Sequence, residues 1–497
     1  MRQPVQFAVF LLCLLLPVTG FAQRQPTPTT PAATPAAEPL RKLPADSITK
    51  HSIDLPGRTL KFTATAGAVT LTDASGAPQA QISFIAYSLD DQTPEKRPVT
   101  FAMNGGPGSA SAWLQLGLLG PWRMRMDPDA AVPSASPVPA DNADTWLDFT
   151  DLVFIDPVGT GFSKMLVNSD DNRKKYWSVN GDVASVAQAI RIWLTQTKRM
   201  TSPKYIVGES YSGLRGPRLV RQLIADESVG VTGLVLISPK LDYGGSSAFD
   251  PISWVSVLPS EAAVARSKKG PVTRADMADV EQYATTDYLL DMVRGEDADA
   301  VKRRVDRIIA LTGLDRALVE RRHGMVQSFD YLREVDASEA KVASFYDATV
   351  TKQDPFPTGS YSNRPDPMTD ALQPAFVSAI LDIYGRRLNW LPDGQYQISN
   401  GAVNRAWEFG NGNKPESISY LRQSLAQDPN FHVLIAHGLF DIITPYFETQ
   451  MLFNQIPHSV GTAQIDFQVY PGGHMFYSQD ASRAAFREEA KKLYKAP

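Results

Sequence analysis

The chain has 497 residues, 43% of them hydrophobic, which is enough to bury the core of one large domain or of two to three ordinary ones. Its 49 basic residues nearly balance 53 acidic ones, and the formal net charge is −4. This balance gives no electrostatic reason to expect nucleic acid or an anionic membrane as a partner.

The N-terminus has the pattern of a secretory signal peptide. Arg2 gives a cationic start, residues 7–16 are apolar, and small residues at 20 and 22 offer a cleavage site. We interpret residues 1–22 as a signal peptide, with a retained anchor as the alternative, and expect a periplasmic or secreted protein without a membrane span after cleavage. The only cysteine, Cys13, lies in this segment, so the mature chain is expected to contain no disulfide.

The next segments predict a linker and then the first part of an α/β core. Residues 23–46 are rich in Pro, Thr and Ala, which is typical of a disordered linker. Apolar and polar residues alternate over 58–89, which predicts antiparallel hairpins. Short apolar runs followed by loops, as in VTFAMNGGPG, DLVFIDPVG and KYIVGESYSG, then alternate with helical patterns up to residue 243. This alternation predicts a mostly parallel sheet with helices on both faces.

The second half of the chain predicts an insertion and a return to the core. Residues 244–412 have a mostly helical, irregular pattern, whereas strand and loop patterns resume over 413–497 in VLIAHGLFDIITP and QIDFQVYPGGH. A closing helix, ASRAAFREEAKKLYK, follows. The overall prediction is an α/β core, in two parts, interrupted by an inserted and largely helical cap.

A candidate nucleophile lies in YIVGESYSGL, which nearly matches the G-x-S-x-G motif of a nucleophile elbow. The elbow requires small residues two positions to either side of the nucleophile, because the backbone passes close by. Around Ser210 these residues are Gly208 and Ser212, whereas around Ser212 one of them is the bulky Leu214. Ser210 is therefore the candidate, although the motif alone is equally compatible with a structural turn.

A serine nucleophile needs a histidine base and an orienting carboxylate, which follow in the order Ser, acid, His in α/β-hydrolases. The chain has six histidines: His51, His323, His432, His437, His458 and His474. His474 follows the last predicted strand in a glycine loop, and Asp441 lies in the loop after the preceding strand. We expect Asp441 to orient His474 as the base, and His437, predicted in the same loop as Asp441, to support the site. Asp441 also has the position of a helix cap, which is compatible with this role.

The glycine-rich stretch NGGPGSAS at 104–111 is the third element of the predicted site. Consecutive glycines allow backbone N–H groups to face an oxyanion, which is a large contribution to acyl transfer. No Lys-Ser or Lys-Thr follows, so the stretch does not match a phosphate-binding loop. On this motif alone, a plain glycine turn is the alternative.

Five blocks, NGGPGSASAW, FIDPVGTGFS, YIVGESYSG, VLIAHGLFDIITP and YPGGHM, resemble in order those of the serine carboxypeptidase family. The resemblance extends from about residue 98 to the C-terminus and implies an α/β-hydrolase fold and hydrolysis of C-terminal peptide bonds. It implies roles for three groups of residues: the triad Ser210, Asp441 and His474; the oxyanion-hole N–H donors Gly106 and Tyr211; and the binding site for the substrate's C-terminal carboxylate, Asn104, Gly105 and Glu209. It implies no metal or cofactor, and its partners are the C-termini of peptides or proteins.

A glutamate facing a substrate carboxylate repels it unless the two share a proton, so the resemblance implies better activity at acidic pH. The sequence also departs from the family pattern at several positions. Ser109 replaces a disulfide cysteine, and Leu118 stands where the family has a second carboxylate in the recognition site. An esterase or acyltransferase on the same scaffold, and a catalytically silent envelope-binding protein, are the alternative functions.

Overall fold

The computed structural model describes residues 42–127, 132–134, 138–244, 250–359, 366–410 and 415–495. The predicted signal peptide, and the predicted linker up to residue 41, lie outside the described residues. Within that predicted linker, Leu43 packs against the sheet, since it is buried and its N–H donates to Gln81 Oε1 at 2.7 Å. The folded part therefore begins a few residues before the boundary that composition predicted.

Fourteen strands occur in the described ranges: β1 (Ser47–Leu55), β2 (Arg58–Thr72), β3 (Pro78–Leu89), β4 (Val99–Met103), β5 (Trp122–Arg123), β6 (Ala140–Asp141), β7 (Asp151–Ile155), β8 (Lys164–Met165), β9 (Lys204–Glu209), β10 (Gly233–Ile237), β11 (Lys341–Ala343), β12 (Thr351–Gln353), β13 (His432–Gly438) and β14 (Ile465–Tyr470). Ten of them form one sheet in the order β1-β2-β3-β7-β4-β9-β10-β13-β14, with β8 paired to β3. β7, β4, β9, β10, β13 and β14 run parallel, and β1, β2 and β3 pair antiparallel before them.

The helices in the same ranges are α1 (Ala112–Leu114), α2 (Asp170–Tyr176), α3 (Val179–Gln196), α4 (Ser212–Ala225), α5 (Pro251–Ser267), α6 (Ala278–Tyr283), α7 (Leu289–Val293), α8 (Ala298–Thr312), α9 (Arg316–Arg321), α10 (Ser328–Glu334), α11 (Thr369–Asp382), α12 (Gly401–Arg405), α13 (Ile418–Gln427), α14 (Tyr446–Phe453) and α15 (Asp480–Leu493). None of the helices in the described ranges is both long and apolar enough to cross a membrane.

The apolar runs of the sequence become strands that are buried on both faces. Every residue of β4, β7 and β10 is buried, as expected for central parallel strands covered by helices. Along β4, Phe101 belongs to the apolar cluster on one face and Ala102 to the cluster on the other. The mostly parallel sheet and its flanking helices confirm the predicted fold class.

The segment between β10 and β13 packs as two different parts. Helices α5 to α10 build an apolar cluster of their own, which also includes Phe440 and Tyr446 from the second part of the core. Helix α11 instead belongs to the main core, where Phe376 packs on Trp113 at a ring-centroid distance of 4.7 Å. The helical insertion thus combines a separate cap with a second piece that lies against the glycine-rich stretch.

Candidate active site

Ser210 lies at the sharp turn between β9 and α4, at the carboxyl edge of the parallel strands. Its φ of 61° is in the left-handed region, which is unfavourable for a residue with a side chain and is typical of a nucleophile elbow. The turn is fixed by its backbone, since Ser210 N–H donates to Ile237 O at 2.9 Å and Ser210 O accepts from Gly213 and Lys240. Ser210 is partly exposed, so this turn presents a serine to solvent.

The neighbours of Ser210 are small for the reason that the motif predicts. A Cβ on Gly208 would lie 2.5 Å from the Cβ of Ser212, so the elbow leaves no room for a side chain there. Ser212 itself is 1% exposed, and its hydroxyl accepts a hydrogen bond from Arg215 Nη1 at 2.8 Å. Of the two serines, only Ser210 is placed to meet a substrate.

His474 and Asp441 meet at the same edge, in the loops that follow β14 and β13. Nδ1 of His474 lies 2.8 Å from Oδ2 of Asp441, and both side chains are almost completely buried. Asp441 Oδ1 accepts from the N–H groups of Ile443 and Thr444 at 2.9 and 3.0 Å, which fixes the carboxylate in a tight turn. Helix α14 begins later, at Tyr446, so Asp441 orders a turn rather than capping that helix.

The electrostatics of this pair keep the carboxylate charged. Burial raises the pKa of Asp441, but His474 and the N–H donors of the turn outweigh it, and the pKa lies below its ordinary value. Burial lowers the pKa of His474, whereas the charge and hydrogen bond of Asp441 raise it, with a net increase. Because a charged carboxylate only accepts, Nδ1 of His474 carries the proton and Nε2 is left as the basic nitrogen.

Two residues that the sequence did not single out complete this arrangement. The hydroxyl of Thr444 lies 2.7 Å from Asp441 Oδ2, 3.0 Å from His474 Nδ1 and 2.9 Å from Ser238 O. Ser238, directly after β10, donates its hydroxyl to His474 O at 2.8 Å. Its neighbour Ile237 accepts from Ser210 N–H, so the end of β10 connects the elbow to the histidine loop.

A segment of the insertion also braces the two loops. Tyr346 O accepts from His474 N–H, and the Tyr346 ring packs edge-on against the imidazole at a centroid distance of 5.4 Å. Phe440 O accepts from Ala348 N–H at 3.2 Å, just before Asp441. Residues 345–348, which we call the brace segment, therefore contact the loops of both the acid and the base.

The glycine-rich stretch contacts the elbow directly. A Cβ on Gly105 would lie 2.4 Å from Tyr211 N and 2.9 Å from Ser210 Cβ, so only glycine permits this approach. Gly105 and Ser210 contact each other. Each is followed in the sequence by one of the expected oxyanion donors, the amides of Gly106 and Tyr211. Chain packing thus brings the predicted donors next to the serine.

A buried ion pair also holds the glycine-rich stretch in place. Arg215 on α4 pairs with Asp182 on α3 at 2.7 Å, and both side chains are 1% exposed. A second nitrogen of Arg215, Nη1, donates to Asn104 O at 2.8 Å. The pair therefore connects two helices with the residue that begins the glycine-rich stretch.

Glu209, directly before Ser210, is hydrogen-bonded to Asn104 of the glycine-rich stretch. Glu209 is 4% exposed, and burial raises the pKa of its carboxyl to about 7, although hydrogen bonds from Tyr477 and Asn104 act in the opposite direction. Tyr477 Oη donates to Glu209 Oε2 at 2.7 Å. His474 and Asp441 are close enough for their charges to act on the same carboxyl. All eight predicted site residues thus lie at one edge of the sheet, joined by the contacts above.

His437 differs from the prediction, because it is the penultimate residue of β13 rather than part of the Asp441 loop. It is completely buried, and Nε2 lies 3.0 Å from Thr449 Oγ1. Burial lowers its pKa to about 3, so the ring is neutral at physiological pH. In the sequence, the apolar run VLIA ends at His437, which is followed by a glycine. The pattern therefore predicted that the strand stops before His437.

A cavity of about 910 Å³ opens beside the Asp441 loop. Its lining includes the apolar side chains of Ile442 and Ile443 from that loop and Trp254 and Val257 from α5. Lys240 and Glu448, which form an ion pair, lie in the same wall. The cap and the core therefore border a mainly apolar space beside the loop that carries Asp441, and Ser210, Asp441 and His474 are not among its lining residues.

Comparison with known proteins gives the family of the chain. The model of the serine carboxypeptidase family matches residues 56–487. The pheromone-processing carboxypeptidase KEX1 of Metarhizium robertsii is 24% identical over 413 residues, which cover 79% of this chain and 56% of that protein. Serine carboxypeptidase-like 2 of Arabidopsis thaliana is 27% identical over 169 residues, 32% of this chain and 36% of that protein. The match thus spans about a third of the length of that plant relative.

Among solved structures, the Kex1 prohormone-processing carboxypeptidase of Saccharomyces cerevisiae superposes with a TM-score of 0.55 at 15% identity. The match covers 87% of this chain and 91% of the yeast chain, and it shows a shared fold. The family model covers most of the sequence, including every predicted site residue. The chain belongs to the serine carboxypeptidase family.

Proposed function

We propose that this protein is an exported serine carboxypeptidase that removes residues from the C-termini of peptides. The observation that carries the proposal is the buried hydrogen bond between His474 and Asp441, at the edge where the strained turn presents Ser210. This combination of base, orienting acid and partly exposed serine supports acyl transfer through a covalent intermediate.

In the proposed reaction, Ser210 Oγ attacks the carbonyl carbon of the last peptide bond while His474 Nε2 takes its proton. His474 then returns this proton to the leaving amino group, and Asp441 stabilises the charged imidazole in between. The N–H groups of Gly106 and Tyr211 stabilise the oxyanion. Water, activated by His474, releases the peptide from Ser210 and restores the enzyme.

We assign selection of the C-terminus to Asn104, Gly105 and Glu209. The carboxyl of Glu209 carries its proton below about pH 7, since burial raises its pKa. A protonated carboxyl donates a hydrogen bond to the substrate's carboxylate, whereas an ionised one repels it. Recognition of the free C-terminus is therefore proposed to weaken as the pH rises through 7.

Product analysis of a mixed peptide digest tests the peptidase assignment. We expect residues to leave singly from C-termini and peptides with amidated C-termini to persist. Release of internal fragments, or hydrolysis restricted to simple esters, would contradict the proposal and favour the esterase or acyltransferase alternative.

Fluorophosphonate labelling tests the nucleophile. We expect the wild-type protein to be labelled and Ser210→Ala to be unlabelled, with Ser212→Ala as the matched control that keeps its label. An unlabelled wild-type protein would instead support a catalytically silent binding protein. Export is checked separately, by cell fractionation and N-terminal sequencing, with a mature terminus expected after residue 22.

A further inference from the structure

Tyr477 is a buried residue next to the predicted site to which the family resemblance gives no role. It lies three residues after His474, is completely buried, and donates its hydroxyl to Glu209 Oε2 at 2.7 Å. Leu118, where the family has a second carboxylate, is also completely buried and offers no group that could share a proton. Leu118 therefore cannot be a polar partner of Glu209, whereas the hydroxyl of Tyr477 is one.

The surroundings fix the Tyr477 ring in this position. A Cβ on Gly117 would lie 2.8 Å from Tyr477 Cε2, so the ring occupies space that glycine leaves open directly before Leu118. Arg483 Nη1 donates to Tyr477 O at 3.2 Å, and Phe476 packs on Phe486 at a centroid distance of 5.3 Å. The phenol is thus held by packing and by its backbone, and its hydroxyl is directed to one oxygen of Glu209.

We propose that Tyr477 is a positioning residue for carboxylate recognition: its hydroxyl occupies Glu209 Oε2, keeps the proton of Glu209 on Oε1, and sets the pH at which that proton is lost. The inference rests on the proposed function. A neutral phenol donating to one carboxyl oxygen leaves the other to carry the proton that a substrate carboxylate shares. Tyr477 thus acts on the substrate through Glu209.

Several groups face Glu209 and together determine its titration. His474 and Asp441 act through their charges, and Asn104 donates a further hydrogen bond. The hydroxyl of Tyr346 stays neutral, since burial raises its pKa to about 12. Burial raises the pKa of Tyr477 well above its ordinary value, so this hydroxyl remains a donor over the whole working range. Since it favours the ionised form of Glu209, its removal raises the pKa of that carboxyl.

The test compares kcat/KM for a blocked dipeptide with a free C-terminus to kcat/KM for the matching ester, which lacks the carboxylate. The ratio of the two cancels the titration of His474, which serves both substrates. For Tyr477→Phe we expect the midpoint of the fall in this ratio to move up by about one pH unit, the size expected for losing a hydrogen bond to a charged group. The ester profile stays unchanged.

Tyr470→Phe is the matched control, because Tyr470 packs on Phe476 and its buried hydroxyl has no hydrogen-bond partner among the described residues. We expect its midpoint to equal that of the wild type. Should Tyr477→Phe not fold, 3-fluorotyrosine at position 477 keeps the shape and strengthens the donor, and the midpoint should move down instead.

The outcomes separate the two proposals. Tyr477→Phe or the fluorinated protein could hydrolyse the peptide and show the wild-type midpoint of the fall in the ratio. This result overturns the role of Tyr477 but does not contradict the proposed carboxypeptidase function. An equal fall in activity on both substrates at every pH shows a merely structural tyrosine and also overturns it. A wild-type protein that releases no C-terminal residue overturns the proposed function and this inference together.

Discussion

Glu209 stands one position before the candidate nucleophile, and its burial makes it the residue with the clearest functional prediction. With a pKa of about 7, its carboxyl is neutral at pH 6 and mostly ionised at pH 8. For the wild-type protein, we expect the peptide-to-ester ratio of kcat/KM to fall about tenfold per pH unit above this value, as for loss of one proton. Glutamine stays neutral, so Glu209→Gln should give a ratio that does not change between pH 6 and 8.

Steady-state kinetics on the two substrates checks this prediction. The control is Glu227→Gln, which removes a carboxyl that follows helix α4 and pairs with Arg191 on α3. The control should keep the wild-type pH dependence. A Glu209→Gln protein whose ratio still falls above pH 7 would show that another group titrates, and the assignment of Glu209 to the carboxylate would be wrong.

Single residues were predictable where sterics restrict the choice of side chain. Gly208, Ser210 and Ser212 follow from the space inside a tight turn, which is a local property of the backbone. Thr444 and Tyr477 were not predictable, although each lies three residues after a predicted site residue. Their roles depend on contacts between loops that are distant in sequence, and a threonine or a tyrosine in a loop has no periodic signal.

At the scale of elements, the loop after β14 and the brace segment are in close backbone contact. A Cβ on Gly473 would lie 2.0 Å from Tyr346 O and 2.5 Å from Asp347 Cα, both of them backbone atoms that cannot rotate away. In Gly473→Ala the brace segment must separate from the histidine loop. Since a displacement of about 1 Å in a catalytic group costs about a hundredfold in rate, we expect kcat to fall by about that factor.

Steady-state kinetics and thermal unfolding of the purified variant measure this effect. Gly230→Ala is the control, because a Cβ there would meet no atom within 4 Å and the glycine is exposed. It should keep wild-type kcat. A folded Gly473→Ala protein with wild-type kcat would show that the brace segment does not position His474.

At the scale of the whole molecule, the layered core was predictable and the packing of the insertion was not. Apolar runs that alternate with helical patterns require a covered parallel sheet, whatever the details of the helices. The pattern of residues 244–412 predicted helices, but it did not predict which elements those helices pack against. Trp113 and Phe376 meet across that boundary, and such a contact between a core element and an inserted one leaves no trace in periodicity.

The chain has one cysteine and cannot form an internal disulfide, so its stability rests on packing and on buried polar groups. Buried carboxyls with raised pKa values make that stability depend on pH, and the two with the highest values are glutamates. Burial raises the pKa of Glu261, in α5 of the cap, to about 8 and that of Glu209 to about 7, from an ordinary value of 4.5. Between the ordinary and the raised pKa, each group holds a proton in the folded state that the unfolded chain has released. The free energy of unfolding should therefore decrease as the pH rises through this window, up to about 8.

Glu261 allows this prediction to be tested away from the active site, because its Oε1 has no hydrogen-bond partner among the described residues and burial alone shifts its pKa. We expect Glu261→Gln to reduce the loss of stability between pH 6.5 and 8 by about 2 kcal/mol, since each pH unit over which one proton is released contributes about 1.4 kcal/mol. Urea unfolding at the two pH values measures the difference. The control is Glu296→Gln, at an exposed position in the cap, which should show the same loss of stability as the wild type. An equal pH dependence of stability in Glu261→Gln and the wild type would show that Glu261 is already ionised in the folded protein.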